Sequence, residues 1–112
     1  MKFKFKIMNK NLAEEMNSWK YDGEYFPGIG MQPYIDSYDE ATGISTGPAD
    51  CKGYAVFLED DQLAGLFEYY LHEEFMEIGL ALNPSIIGKG LGVQFVTQGI
   101  EFAIDKFNYK KA

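Results

Sequence analysis

Three apolar segments of strand length follow one another between residues 54 and 82, and they constrain the fold more than any other feature. They read YAVFL at residues 54–58, LAGLFEYYL at 63–71 and MEIGLAL at 76–82. Aromatic and branched side chains dominate all three segments, as strands prefer. The acidic connections between them are too short for a crossover and allow only antiparallel pairing. This part of the chain therefore predicts an antiparallel meander.

The chain before the meander predicts a strand and a helix. Lysine alternates with Phe3, Phe5 and Ile7 at the start, the period of a strand with one buried face. The segment LAEEMNSWKY, at residues 12–21, has apolar residues at helical spacing. Asn11 is the predicted N-cap of this helix, and Glu14 completes a capping box.

A long loop is predicted between this helix and the meander. Residues 23–53 contain six glycines and three prolines, with a short helix predicted at 34–38. Loops of this length in compact domains are more often functional than idle. We therefore expect part of the specificity for a ligand to lie here.

Length and charge limit the class of protein. The 112 residues, 46% of them hydrophobic, suit one domain that covers residues 1–112. The net charge of −7 argues against a nucleic-acid surface and suits a cationic small molecule or peptide. The alternative is that the charge only keeps a small protein soluble. The single cysteine, Cys51, excludes an internal disulfide and a multi-cysteine metal site. No apolar run is long enough to cross a bilayer and no signal peptide is evident, so we expect a cytoplasmic protein that needs no metal and contacts no membrane.

A glycine turn joins the last predicted strand to a second helix. It reads LNPSIIGKGLG at residues 82–92, and the helix after it has an apolar face that includes Phe95, Val96 and Ala103. The N–H groups at a helix N-terminus carry partial positive charge and bind anions, and glycine lets a ligand approach the backbone. The segment fits neither a P-loop, because Leu91 follows Gly90, nor a dinucleotide fingerprint, because Val93 stands where glycine is needed. It predicts a site for a phosphate or pyrophosphate.

The turn and the order of elements resemble the GNAT superfamily of N-acetyltransferases. Ile87-Gly88-Lys89-Gly90-Leu91-Gly92 matches the small-residue positions of that family's [QR]-x-x-G-x-[GA] motif, after the strand-and-proline pattern LALNP. The resemblance covers nearly the whole chain and implies an α/β fold, with a mixed, mainly antiparallel sheet flanked by helices. Ile87 stands where the family usually has Gln or Arg, so weaker binding of the cofactor is expected.

The resemblance also implies acetyl-CoA as cosubstrate and a set of residues that bind it. The backbone of the turn would hold the pyrophosphate, and the last strand would pair with the pantetheine arm like an added strand. The implied cofactor-binding residues are Leu80, Leu82, Ile87, Gly88, Lys89, Gly90, Leu91, Gly92 and Val93.

Acetyl transfer to an amine needs a base, because an ammonium group has no lone pair. Glu77 lies on the strand before the turn, where many family members place this base, and it is the predicted catalytic residue. An exposed strand carboxylate without a catalytic role is the alternative for Glu77. Glu68 on the neighbouring strand is a weaker candidate. His72 is interpreted as a turn residue, and Cys51 has no histidine nearby in the sequence to activate it.

The predicted function is therefore acetyl transfer from acetyl-CoA to a primary amine of a small molecule or peptide. The alternative is a CoA-binding or interaction module of the same fold without catalysis. Family members continue with a further strand, a helix carrying Asn and Tyr, and closing strands, and this sequence matches only the first two thirds of that pattern. The strand at 76–82 would then have an open edge, which predicts a two-fold homodimer.

Overall fold

The computed structural model describes residues 2–19 and 31–108, and its strands form one antiparallel sheet in the order β1-β2-β3-β4. The strands are β1 Lys4–Ile7, β2 Lys52–Phe57, β3 Leu63–Leu71 and β4 Met76–Leu82. The helices are α1 Lys10–Asn17, α2 Gln32–Asp36 and α3 Gly92–Phe107, with single 3₁₀ turns at Pro48–Asp50 and Pro84–Ile86. The predicted α/β class and the predicted meander are confirmed.

The second and third strands of the meander have the predicted bounds, whereas the first is shifted. β2 begins two residues before Tyr54 and ends before Leu58. Leu58 lies outside the strand because its N–H donates a hydrogen bond to the carbonyl of Gln62 at 2.8 Å and closes the turn. A register irregularity between Val56 and Phe57 precedes that turn.

The first helix begins earlier than predicted, and its predicted cap was wrong. Asn9 is the N-cap, in extended backbone, and its side chain accepts a hydrogen bond from the N–H of Leu12 at 2.9 Å. Asn11 lies inside the helix, so it cannot form the predicted capping box with Glu14. Two asparagines stand two residues apart, and the backbone conformation decides between them.

The predicted short helix in the long loop is present but shifted. It is α2, which starts at Gln32 with Pro33 in its first turn, where proline is tolerated. Residues 20–30, which include the end of the predicted first helix and the start of the loop, lie outside the described residues.

Each face of the sheet carries its own hydrophobic core. On one face, Phe67 packs against Phe95 of α3 with ring centroids 4.7 Å apart, and Phe5 stacks on Phe102 at 4.3 Å. On the other face, α1 and α2 contribute Met16, Tyr34 and other fully buried side chains. Since strand side chains alternate between faces, the two central strands, β2 and β3, supply both cores.

The predicted apolar face of α3 is largely correct. Phe95 and Ala103 are buried, whereas Val96 is 36% exposed and does not belong to the core. Helix and sheet approach closely at Gly99, where a Cβ atom would overlap the ring of Phe67. The predicted alternation at the start of the chain holds for Phe3, which is buried just before β1, but fails at Ile7, which is 38% exposed on this edge strand.

Candidate functional site

The glycine turn is attached firmly to the sheet at Asn83. Its N–H donates to the carbonyl of Ala64 at 2.8 Å, and its side-chain amide donates to the carbonyl of Leu63 at 2.8 Å. Its side-chain oxygen accepts from the N–H of Ser85 and starts the 3₁₀ turn. This anchoring fixes the direction in which the chain leaves β4.

After the 3₁₀ turn the backbone twists through two left-handed glycines. Gly88 has φ +86° and Gly90 has φ +77°, a conformation that side chains other than glycine rarely adopt. Helix α3 then begins at Gly92 with Leu91 as its N-cap, a residue that has no oxygen with which to cap the helix. The twist thus turns the start of a 16-residue helix toward open space.

Several backbone N–H groups at this point donate no hydrogen bond to a described residue. The N–H of Ile87 donates to the carbonyl of Pro84 at 3.4 Å, and that of Lys89 to the carbonyl of Ile86 at 3.3 Å. Among hydrogen bonds between described residues, none is donated by the N–H groups of residues 88 and 90–94. These groups and the helix dipole give the turn a positive electrostatic character. No acidic residue lies in the first turn of α3 to oppose it.

The space around the turn is open. Cβ atoms added at Gly88, Gly90 or Gly92 would meet nothing within 4 Å. Val93 is 81% exposed, Ile87 is 53% exposed, and the side chain of Lys89 is also exposed. At position 92, neither a left-handed backbone nor close packing requires a glycine.

Strand β4 leads into this turn and lies at the edge of the sheet. It pairs with β3 from Met76 to Leu82, and its other edge has no strand partner among the described residues. Leu80 is 45% exposed and Leu82 is half-buried, on the face that carries α3. The predicted pantetheine-binding strand is thus an edge strand next to the glycine turn.

Glu77 projects from the opposite face of β4 to the leucines. Its side chain is 63% exposed, and its Oε1 atom lies 3.2 Å from Nε2 of His72. The His72 ring also stacks on Phe75 at 4.4 Å. Sequence reasoning treated His72 as a turn residue and missed its contact with Glu77, although the pairing of Leu71 with Met76 places the two in one hairpin.

A second carboxylate group, Glu68 of β3, lies on the same face of the sheet as Glu77. Glu68 Oε2 accepts a hydrogen bond from the hydroxyl of Tyr34 at 2.7 Å, and the thiol of Cys51 lies 3.8 Å from the same oxygen. Burial, followed by hydrogen bonds to Cys51 and Glu68, raises the pKa of Tyr34. Burial also raises the pKa of Cys51, and with the charge of Glu68 it raises the pKa of Tyr70 to about 12. These three groups therefore keep their protons at neutral pH.

In residues 2–19 and 31–108 no group of three or more His, Cys, Asp or Glu side chains could hold a metal ion. The same residues include no helix that is long and apolar enough to cross a membrane.

The order of elements, the meander and the glycine turn before α3 define the fold of the GNAT N-acetyltransferases. Solved structures with this fold include mutant forms of the spermidine/spermine N-acetyltransferase SpeG from Vibrio cholerae, with a TM-score of 0.67 and 12% identity over 96% of this chain. A SpeG structure in complex with manganese ions has a TM-score of 0.66, also at 12% identity over 96% of this chain. A chimera of SpeG and hSSAT reaches a TM-score of 0.68 at 13% identity over 97% of the chain.

This chain spans about two thirds of the length of those proteins, between 64% and 67%. No protein-family model and no curated protein sequence matches it. The comparisons therefore show the fold, and the activity has to be argued from the site.

Proposed function

We propose that this chain binds acetyl-CoA at the glycine turn and transfers its acetyl group to a primary amine of a small molecule or peptide. The observation that carries the proposal is the cluster of N–H groups at the start of α3 that have no hydrogen-bond acceptor among the described residues. Such a cluster binds phosphate oxygens without any charged side chain, and Lys89 can add a positive charge. This also explains why Ile87 is compatible with binding, since the backbone supplies the donors.

Gly92 supports a ligand at this turn. Glycine is a poor helix former, yet it occupies the first position of α3 where its backbone is ordinary and its surroundings are open. Close approach of a ligand to the backbone is a physical reason for a residue without Cβ here. The pyrophosphate would then lie against residues 88–93.

The open edge of β4 fits the next part of the cofactor. Pantetheine contains two amide groups that can pair with a strand as a neighbouring strand does. Leu80, exposed on β4, would contact the arm, and the resemblance assigns the same role to Leu82. Acetyl-CoA supplies the acetyl thioester, and no metal is required by this proposal.

Glu77 is the proposed general base. A carboxylate can take the proton of an ammonium group, directly or through water, and so prepare the nucleophile. The imidazole of His72 at 3.2 Å can share that proton. The exposure of Glu77 is the observation that favours the alternative, a CoA-binding module without catalysis.

A cationic acceptor suits the electrostatics of the chain. The net charge is −7, and the fold neighbours include spermidine and spermine N-acetyltransferases, whose named substrates are polyamines. We propose in addition that the chain forms a homodimer through the edge of β4. A cytoplasmic location stays a prediction.

Calorimetric titration with CoA tests the proposed function. Gly90→Asp places a negative charge among the N–H groups and should abolish CoA binding. Gly43→Asp is the matched control, because Gly43 also has a left-handed backbone, φ +74°, with nothing within 4 Å of its Cβ position. Both variants carry the same strain and charge, so only Gly90→Asp should lose binding. Equal affinity of Gly90→Asp and the wild type, or no binding by the wild type, would exclude the site.

A further inference from the structure

Glu68 is a half-buried carboxylate with no cationic partner among the described residues. It lies on β3, between β2 and β4, and no lysine or histidine of the described residues is within ion-pair distance of it. A carboxylate that has lost part of its water shell is costly unless a positive group or hydrogen-bond donors compensate it. The groups around Glu68 therefore determine how far the charge of its carboxylate is compensated.

The described residues that can donate a hydrogen bond to Glu68 reach only one oxygen atom of its carboxylate, Oε2. The single hydroxyl proton of Tyr34 goes to Oε2, so the thiol of Cys51, 3.4 Å from that hydroxyl oxygen, donates to Tyr34 or to Oε2. Tyr34 is fully buried, and its ring fills the space beside Gly47 and Gly53. Glu68 is thus held in one orientation by a side chain that has no room to move.

The other oxygen atom, Oε1, accepts no hydrogen bond from any described residue. It lies over Gly79 of β4, where an added Cβ would be 3.3 Å from it. Gly79 pairs with Glu68 across the two strands, and β4 is the edge strand. Residue 79 has no side chain, so β4 places none over Oε1 at this position.

We propose that Glu68 Oε1 binds an ammonium group of the amine acceptor, with Tyr34 and Cys51 as the positioning residues that hold Oε2. The identification of this amine as an acetyl acceptor rests on the proposed function. Glu77 is the diagonal neighbour of Glu68 on the same face, which places their backbones about 7–8 Å apart. Two carboxylates at this spacing select a diamine: one ammonium group is held by Glu68 while the other reaches Glu77.

The test is binding of two amines, 1,4-diaminobutane and 1-aminobutane, measured by NMR titration without CoA. We expect the wild type to prefer the diamine roughly tenfold, the effect of one hydrogen bond to a charged group. Glu68→Gln keeps the shape and the acceptor for Tyr34 and should remove this preference. Glu101→Gln on exposed α3 makes the same charge change and should retain it.

Positioning is tested with the same two amines. Tyr34→Phe keeps the ring but removes the donor, and should lower the preference for the diamine by roughly threefold or more. Cys51→Ala should lower it less, and Cys51→Ser, which restores a donor, should return it toward the wild-type value. A purely structural role would change the melting temperature and leave the ratio of the two affinities unchanged.

The outcomes separate this inference from the proposed function. Equal diamine affinity of the wild type and Glu68→Gln, or no preference by the wild type, overturns the role of Glu68 even if CoA binds. Loss of the preference in Glu68→Gln supports it even if CoA does not bind.

Discussion

The buried hydroxyl group of Tyr34 makes the folded chain less stable at alkaline pH. Its folded pKa is raised above the ordinary value of 10.0, chiefly by burial, so the folded chain keeps a proton that the unfolded chain releases. The contribution of Tyr34 to the free energy of unfolding is therefore complete below pH 10. Above pH 10 it falls by about 1.4 kcal/mol per pH unit for this group. Urea unfolding between pH 8 and 11 should show this decline, and Tyr34→Phe should make it shallower.

Glu77 is tested by its effect on turnover. Glu77→Gln keeps the shape but cannot accept a proton, so acetyl transfer to spermidine should slow by roughly 100-fold while CoA affinity is unchanged. Glu74→Gln, in the exposed turn that precedes β4, is the control and should remain active. Equal rates for Glu77→Gln and the wild type would make Glu77 a surface carboxylate. A wild type that binds CoA without turnover would favour the module without catalysis.

Single residues show where sequence reasoning reaches its limit. The glycines at 88 and 90 were identified because the pattern itself signals a left-handed turn. Glu68 was ranked below Glu77, since nothing in the sequence indicates that Tyr34, 34 residues away, donates to it. Contacts of that kind depend on tertiary packing, and local patterns do not contain them.

Strands and helices as elements were more predictable than their ends. The alternation of lysine with apolar residues located β1, and the apolar segments between short acidic turns located β2, β3 and β4. Apolar residues at helical spacing located α3. Their ends depend on single hydrogen bonds, such as the cap at Asn9 and the turn closed by Leu58. The observed bounds of β1, β2 and α1 therefore differ from the predicted bounds by a few residues.

Replacing glycine by alanine at two positions of α3 separates an effect on CoA binding from an effect on packing. Gly92→Ala has open space and should raise stability by up to about 1 kcal/mol through helix propensity, while weakening CoA binding. Gly99→Ala should destabilise the fold by roughly 1–3 kcal/mol, because its Cβ overlaps the ring of Phe67. Thr97→Ala, exposed on the same helix, is the control for propensity and should keep CoA affinity. Thermal unfolding and CoA calorimetry check the three variants, and unchanged CoA affinity in Gly92→Ala would argue against backbone contact at residue 92.

For the whole molecule, the edge of β4 has two proposed uses that exclude each other. A second copy can pair with this edge, helped by exposed Leu71 and Leu80 beside it, and pantetheine requires the same backbone groups. We therefore expect sedimentation at micromolar concentration to show a dimer that dissociates when CoA is added. Added salt should strengthen the dimer, because it screens the repulsion between two chains of charge −7. Gly90→Asp should dimerise like the wild type and should remain a dimer when CoA is added. This result separates binding at the turn from a general effect of the ligand. A monomer at every concentration, or a dimer that persists with saturating CoA, would show that this edge does not serve both purposes.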